Sequence, residues 1–344
     1  MEIDNVDSLD LFGAAFSLAD QIEAAAAAAV EVEGLPDASG VSSVLICGMG
    51  GSGIGGDVTA AVAGPVASVP ILVSKNYECP AFVGPDTLVV AASFSGNTEE
   101  TVSAFEAAAS AGARLVAVCS GGRLGELAEE MSVPVLALDP TIPMPRAGIG
   151  AVSAAPMVLL DRLGLAPGML DQISSAVGRL RRRTAVLGSP GNPAELLARR
   201  IGRTLPLVYG GGALGEVAAW RWKGQFNENC KVPSWSNRIP ELTHNEICGW
   251  GQHGDVTRQV FTMVLLRHDF EHPQVARRFE IVEEICTEVV DAVHTVEAEG
   301  DCPFAQLMDL VLFGDVVSLH AAVSAGVDPG PVPILDEIKA RLRD

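Results

Sequence analysis

Two short stretches of this sequence combine glycine, serine and threonine in a way that suits an anion: Gly48-Met49-Gly50-Gly51-Ser52-Gly53 and Ser93-Phe94-Ser95-Gly96-Asn97-Thr98. Glycine lets a backbone approach a ligand closely and turn its N–H groups inward. The second stretch sets three hydroxyls, Ser93, Ser95 and Thr98, within six positions. Each stretch follows an apolar run, residues 44–46 and 87–92. Both therefore read as loops at the carboxyl ends of neighbouring parallel strands, each leading into a helix. Amides, hydroxyls and positive helix ends converge in such a place and hold a phosphate ester without a lysine or a metal.

The first loop, taken singly, also fits the Gly-x-Gly-x-x-Gly pattern of a dinucleotide site. That reading needs a carboxylate roughly 20 positions later to hold a ribose. The sequence offers Leu72-Val73-Ser74-Lys75-Asn76-Tyr77 instead, where only Lys75 could serve, by taking a 2′-phosphate. A ligand-free strand-to-helix turn is the plainer alternative for this loop, and a capping role for Asn97 or Thr98 is the plainer one for the second. The pairing of the two loops favours the phosphate ester.

Composition narrows the partners. The chain has 344 residues, 48% of them hydrophobic, enough to bury two cores. A formal charge of -20 repels nucleic acid and anionic membranes, and neither is expected as a partner. The same field opposes an anionic substrate, so a phosphosugar site must bring its own positive potential. Arg146, Lys231 and Lys339 are the basic residues to watch for it. The seven cysteines are scattered with no Cys-x-x-Cys pair, which suggests neither a disulfide framework nor a structural zinc site. His268 and His272 have a ligand-like spacing, but Asp269 and Pro273 disfavour a zinc helix there. No apolar run approaches the roughly 20 residues of a membrane span, and the acidic opening of residues 1–4 is unlike a signal peptide. A cytoplasmic protein is expected.

Residues 9–30 suit an amphipathic lead helix. Strand-like runs at 41–47, 71–73, 87–92, 115–119 and 133–138 then alternate with helical stretches. This rhythm predicts an α/β parallel sheet. A helical region over 151–183 leads to a second alternation. It has strands near 205–209 and 262–266, and helices near 215–227, 274–298 and 307–325. The second half thus repeats the first in plan, with residues 188–195 as the expected linker end.

With these motifs in place the sequence resembles the sugar isomerase domain proteins. More narrowly, it resembles the bifunctional phosphoglucose/phosphomannose isomerase family, built from two such domains. The resemblance covers nearly the whole chain. Its carriers are the two loops, Pro145-Arg146-Ala147, Asn227-Glu228-Asn229-Cys230-Lys231-Val232-Pro233 and Pro240-Glu241-Leu242-Thr243-His244-Asn245-Glu246-Ile247. It implies two doubly wound, flavodoxin-like α/β domains: an N-terminal one with the lead helix over 1–155, a helical connection over 156–195 and an isomerase domain over 196–344. It further implies that Gly51, Ser52, Ser93, Ser95 and Thr98 bind the phosphate and that Arg146 sits near C1 and C2 of the sugar. Glu228 is implied as the proton-transferring base, His244 as the ring-opening residue, and Lys339 as a further active-site group. Lys231 either contacts substrate or positions Glu228. In the wider family the histidine reaches the site from the other subunit, so a homodimer is expected. One departure stands out: residues 328–333, Asp-Pro-Gly-Pro-Val-Pro, lack the threonine that family members accepting both epimers are thought to use near this place. That puts the mannose half of the activity in question.

The residue types suit the chemistry. Aldose–ketose interconversion moves a proton between C2 and C1 through a cis-enediol, and a carboxylate within hydrogen-bond reach is the usual base. The developing oxyanion needs a fixed cation, and a guanidinium keeps its charge. An imidazole can pass a proton to the ring oxygen as the hemiacetal opens. Neither metal nor organic cofactor is needed. The expectation is an isomerase of glucose 6-phosphate, and of mannose 6-phosphate, with fructose 6-phosphate. A non-catalytic sugar-phosphate binder and an isomerase of another phosphosugar stand as alternatives.

Overall fold

The computed structural model describes residues 6–342, and the acidic opening at 1–4 lies outside them. The chain falls into two compact units that do not follow chain order. The first comprises Ser17–Arg183 and Glu299–Asp309; the second comprises Met1–Phe16, Thr184–Ala298 and Leu310–Asp344.

After α1 (Leu11–Phe16), which groups with the second unit, come α2 (Leu18–Glu31), β1 (Ser43–Cys47), α3 (Gly50–Ala63) and β2 (Ile71–Ser74). The first unit continues with β3 (Thr87–Ala92), α4 (Glu99–Ser110), β4 (Arg114–Cys119), α5 (Gly122–Glu130), β5 (Val135–Ala137) and α6 (Ile149–Arg162). Its five strands are parallel in the order β2-β1-β3-β4-β5. β1 and β3 are buried along their whole lengths, as expected of central strands covered on both faces. The chain leaves β1 toward one side of the sheet and returns to pair β3 on the other. Strand order therefore reverses between these two, and the carboxyl-end crevice at such a point is the usual ligand position of the fold.

The helix α7 (Met169–Leu187) passes into the second unit. There follow α8 (Pro193–Ile201), β6 (Leu205–Gly211), α9 (Gly212–Gln225), β7 (Trp235–Ile239), α10 (Gly254–Val260), β8 (Phe261–Arg267), α11 (Pro273–Cys286) and β9 (Ala292–Glu297). The four strands are again parallel, in the order β7-β6-β8-β9. This repeats the first sheet without its fifth strand. The chain closes with α12 (Pro303–Ser324) and α13 (Pro333–Arg341).

Several elements differ from the sequence reading. The lead helix is broken at Ser17 into α1 and α2. The helix expected over 274–298 stops at Cys286, and its last part is β9, Ala292–Glu297, a partly buried strand at the sheet edge. β7 carries little strand signal because Trp-Ser-Asn-Arg-Ile is polar, which suits its place at the sheet edge. α12 is long and apolar enough by composition to cross a bilayer, yet 89% of its apolar window is buried inside the protein. It carries Asp309 and Asp315, both buried, and is a core helix.

Asp309 yields a testable pH effect within the first unit. It lies 2.9 Å from Arg183 Nε and accepts the Glu299 N–H. Burial outweighs the guanidinium and pushes its carboxyl up from 3.8 to about 6. A carboxyl raised by folding holds its proton more tightly in the folded chain. Its favourable contribution is present at low pH and is lost as pH rises through about 6. The Asp309→Asn variant should lack this loss, so its Tm relative to the native chain should climb between about pH 4 and pH 7. A difference that stays flat over that window would mean that Asp309 is already ionised at the lower end.

Candidate active site

In the first unit the two loops meet at the carboxyl ends of β1 and β3. Gly48 passes so close to β3 that an added Cβ would stand 2.9 Å from the Ala92 carbonyl oxygen. α3 begins at Gly50 with no side-chain cap, and its first-turn N–H groups have no partner within the helix. Ser52 Oγ accepts the Phe94 N–H at 3.0 Å and ties the first loop to the second. Within the second loop Ser93 Oγ donates to Thr98 Oγ1 at 2.9 Å. Thr98 occupies the N-cap position of α4 without making a side-chain cap bond. Its hydroxyl is thus turned back toward Ser93 instead of along the helix. Ser52 and Ser93 are buried, Thr98 is half-buried and Ser95 is exposed. Gly96 has φ +69°, and a Cβ there would collide with the Gly121 carbonyl, so this turn requires glycine.

Arg146 lies on a 3-10 turn, Pro145–Gly148, and is only 6% exposed. A Cβ on Gly51 would stand 3.0 Å from the Pro145 carbonyl oxygen and 3.2 Å from the Arg146 Cα, and one on Gly148 would meet the Phe94 ring at 2.8 Å. The turn that carries the guanidinium is therefore apposed to both loops. Asp139, the nearest carboxylate before this turn in the sequence, is engaged by the backbone N–H and hydroxyl of Thr141. Lys75, which a dinucleotide reading would assign to a 2′-phosphate, is ion-paired with Asp57 of α3.

In the second unit Glu228 sits on a π-helical turn, Phe226–Cys230, that continues α9. Such turns widen the backbone spacing and recur at functional sites. This one is held from several directions. Asn229 Nδ2 donates to Ser318 Oγ at 2.9 Å, and that hydroxyl donates to the Asp315 carbonyl at 2.7 Å. Asp315 itself takes two bonds from Arg221 of α9, at 2.8 and 2.6 Å, in a buried pair. The Cys230 thiol, pushed up to about 12 by burial, donates to the Ser318 carbonyl at 2.9 Å. Lys231 has a left-handed backbone, φ 58°. Its ammonium donates to the Glu228 carbonyl at 2.6 Å and to the carbonyls of Asp328 and Pro329 at 3.1 and 3.2 Å. These bonds fix the backbone beneath the Glu228 side chain, which is half-buried. It opens on a cavity of about 530 Å3 whose other walls include Asn227, Val332 and Pro333.

His244 closes a short 3-10 turn after the cis Ile239–Pro240 bond and is exposed. The next residues are anchored by Glu246. One of its carboxylate oxygens accepts from the Tyr209 hydroxyl and the other from Asn237 Nδ2 at 2.6 Å. Burial, and then the Glu246 charge, raises the Tyr209 phenol, so this hydroxyl remains a donor. Lys339 is on α13, whose residues 333–341 are all exposed, although the first turn of that helix lines the Glu228 cavity.

The structure thus groups Gly51, Ser52, Ser93, Thr98 and Arg146 in one unit and Glu228 with Lys231 in the other, with His244 and Lys339 on separate turns of the latter. Sequence reasoning did not reach the supports, namely Ser318, the Arg221–Asp315 pair and Tyr209. Ser318 and Asp315 lie far along the chain from the Glu228 motif, and neither they nor Arg221 and Tyr209 carry a pattern of their own.

Comparison with known proteins follows the same lines. Residues 191–342 match the model of the bacterial phospho-glucose isomerase C-terminal SIS domain. A bifunctional phosphoglucose/phosphomannose isomerase of Caldicellulosiruptor bescii is 34% identical over 97% of this chain and 99% of its own. One from Aquifex aeolicus is 32% identical over 89% and 92%. Among solved structures, a hypothetical protein from Thermus thermophilus superposes with a TM-score of 0.72 over 97% of this chain and 90% of its own, at 14% identity, which speaks to the fold alone. The length and level of the sequence matches, together with two parallel sheets of the same plan, make this chain a member of the bifunctional phosphoglucose/phosphomannose isomerase family.

Proposed function

We propose that the chain interconverts glucose 6-phosphate and fructose 6-phosphate through a cis-enediol without a metal, and acts more weakly on mannose 6-phosphate. The observation that carries this reading is the Glu228 turn: a half-buried carboxylate facing a cavity, with its backbone fixed by Asn229, Cys230 and Lys231. A binder without turnover would have no use for such a carboxylate. In this reading Gly51, Ser52, Ser93, Ser95 and Thr98 hold the ester. Glu228 carries the proton between C2 and C1, and Arg146 stabilises the oxyanion. His244 opens the ring, supplied from the partner subunit of a cytoplasmic homodimer, and Lys339 is a further polar group at the sugar. Lys231 acts as a positioning residue, because its ammonium is spent on backbone carbonyls around Glu228.

The epimer preference rests on Val332. It lines the Glu228 cavity and presents methyl groups where a threonine would present a hydroxyl to help the open sugar turn about C2–C3. A coupled assay starting from fructose 6-phosphate, with EDTA present and the two aldose products read separately, should show glucose 6-phosphate as the main product. Val332→Thr should raise the mannose 6-phosphate share several-fold, with the glucose rate little changed. Loss of turnover in EDTA would refute the metal-free reading. An unaltered product ratio in the variant would remove Val332 as the source of the preference.

A further inference from the structure

A second cavity, of about 640 Å3, lies within the second unit and shares no residue with the Glu228 cavity. Phe12, Phe16, Leu187 and Val323 give it apolar walls, and His320 and Arg199 bring ring and guanidinium N–H groups to it beside the hydroxyls of Ser189 and Ser324. His320 is 8% exposed and stands edge-on to the Phe12 ring, with centroids 4.9 Å apart. Its hydrogen bonding can be assigned from its neighbour. Asn192 caps α8 with its Oδ1, which accepts from the backbone N–H groups of Ala194 and Glu195. The Asn192 amide is thereby oriented, and its Nδ2 is the atom that faces His320 Nε2 at 3.3 Å. A donor on that side makes Nε2 the acceptor and puts the ring proton of the neutral imidazole on Nδ1. Burial lowers the His320 pKa, opposed by the Glu195 charge and reinforced by Arg199, so the ring is neutral at pH 7. Nδ1–H has no hydrogen-bond partner among the described residues and is not sealed from the cavity.

The cavity therefore offers N–H donors, and the one carboxylate on its lining is spent. Both Glu195 oxygens are already engaged, one by Arg199 and the other by the Gly191 N–H, so the charge of a cation would go unanswered. A phosphate dianion would find one neutral donor and a guanidinium already shared with Glu195. A sugar would leave its hydroxyls against phenyl rings. We propose that this cavity binds a small organic monocarboxylate with an apolar body. The carboxylate is taken by His320 Nδ1–H and the Arg199 guanidinium, and the body by Phe12, Phe16, Leu187 and Val323. The volume is in the usual range for small-molecule sites. α12, which carries His320, also carries Ser318, the anchor of the Glu228 turn.

The test is calorimetric titration of the full chain with phenylacetate, benzoate and 4-methylpentanoate, with phenylacetamide as the uncharged counterpart. At least one carboxylate should bind with Kd of about 1 mM or tighter. Phenylacetamide should bind at least about tenfold more weakly than phenylacetate, as expected when a charge-assisted hydrogen bond is lost. His320→Leu and Arg199→Met should each weaken binding by about tenfold, for the same reason. Arg199 is exposed, so its variant tests the site even if His320→Leu folds poorly. A ligand-induced shift of the His320 imidazole N–H resonance should accompany binding. Failure of all three acids to bind would overturn the proposal. So would native affinity in the Arg199 variant, or displacement by inorganic phosphate, which would place the acid at the phosphate loops.

Discussion

The Glu228→Gln variant is expected to lose turnover by about 10²–10⁴-fold, the span associated with removing a positioned proton carrier, while fructose 6-phosphate still raises its Tm. Glutamine keeps the shape of the side chain and removes its ability to take a proton. The surrounding turn should survive the change because it is held at its backbone and through the side chains of Asn229 and Cys230. Lys231 holds the Glu228 carbonyl, and Asn229 and Cys230 are fastened to Ser318. Rates from the coupled assay and thermal shifts with and without the phosphosugar separate chemistry from binding. Native turnover in this variant would remove Glu228 as the base. Loss of the thermal shift together with turnover would mean that the residue binds the sugar more than it acts on it.

The parts of the fold that the sequence announced are those whose physics is local. β1 and β3 are buried on both faces, so each is a continuous apolar run that cannot be mistaken for a surface element. The glycine and serine loops follow these runs directly, and strand, loop and helix start could be placed together. Edge strands gave a weaker signal. β7 has one buried residue, Ile239, and β9 has one, Val296; each strand owes its existence to pairing with a neighbour that a linear pattern does not name. The supports of the Glu228 turn were illegible for a related reason. Asn229 and Ser318 are separated by 89 positions, and nothing in either residue type points to the other.

The two sheets share a plan but diverge at the crevice where strand order reverses. In the first unit that crevice is edged by Gly48, Ser52 and Ser93, with an uncapped helix start behind them. In the second unit the equivalent strand ends are Gly211 and Arg267, and a carboxylate of the protein occupies the place. Glu271, 3% exposed in its side chain, accepts from Arg267 Nε and from the His268 N–H. A Cβ on Gly211 would stand 3.0 Å from its Oε1. An internal anion thus takes up the donors that an ester would otherwise seek. In the proposed reading the first copy's crevice takes the ester, while Glu271 fills the corresponding place in the second copy, whose carboxylate and histidine turns serve the sugar.

Arg146→Met should reduce kcat by about 10²–10³-fold, corresponding to about 2.7–4 kcal/mol of lost transition-state stabilisation. Methionine retains most of the apolar stem and discards the charge. The turn bearing it is wedged against Gly51 on one side and Phe94 on the other, so the backbone that carries the guanidinium is apposed to the loop pair. Two roles can be told apart by kinetics. A cation that acts on the oxyanion as it develops lowers kcat and kcat/KM together, whereas one that grips the ester equally in ground and transition states raises KM and spares kcat. The first pattern is expected, because the Ser52 and Thr98 hydroxyls and the N–H groups of α3 already supply the donors that the ester needs. Arg146 is buried, so the Tm of the variant must be measured alongside. A fall in kcat in a chain that still melts cooperatively, partly restored by added guanidinium ion at concentrations well below denaturing, would assign the charge to the reaction. An unchanged kcat with a raised KM would move Arg146 to the phosphate.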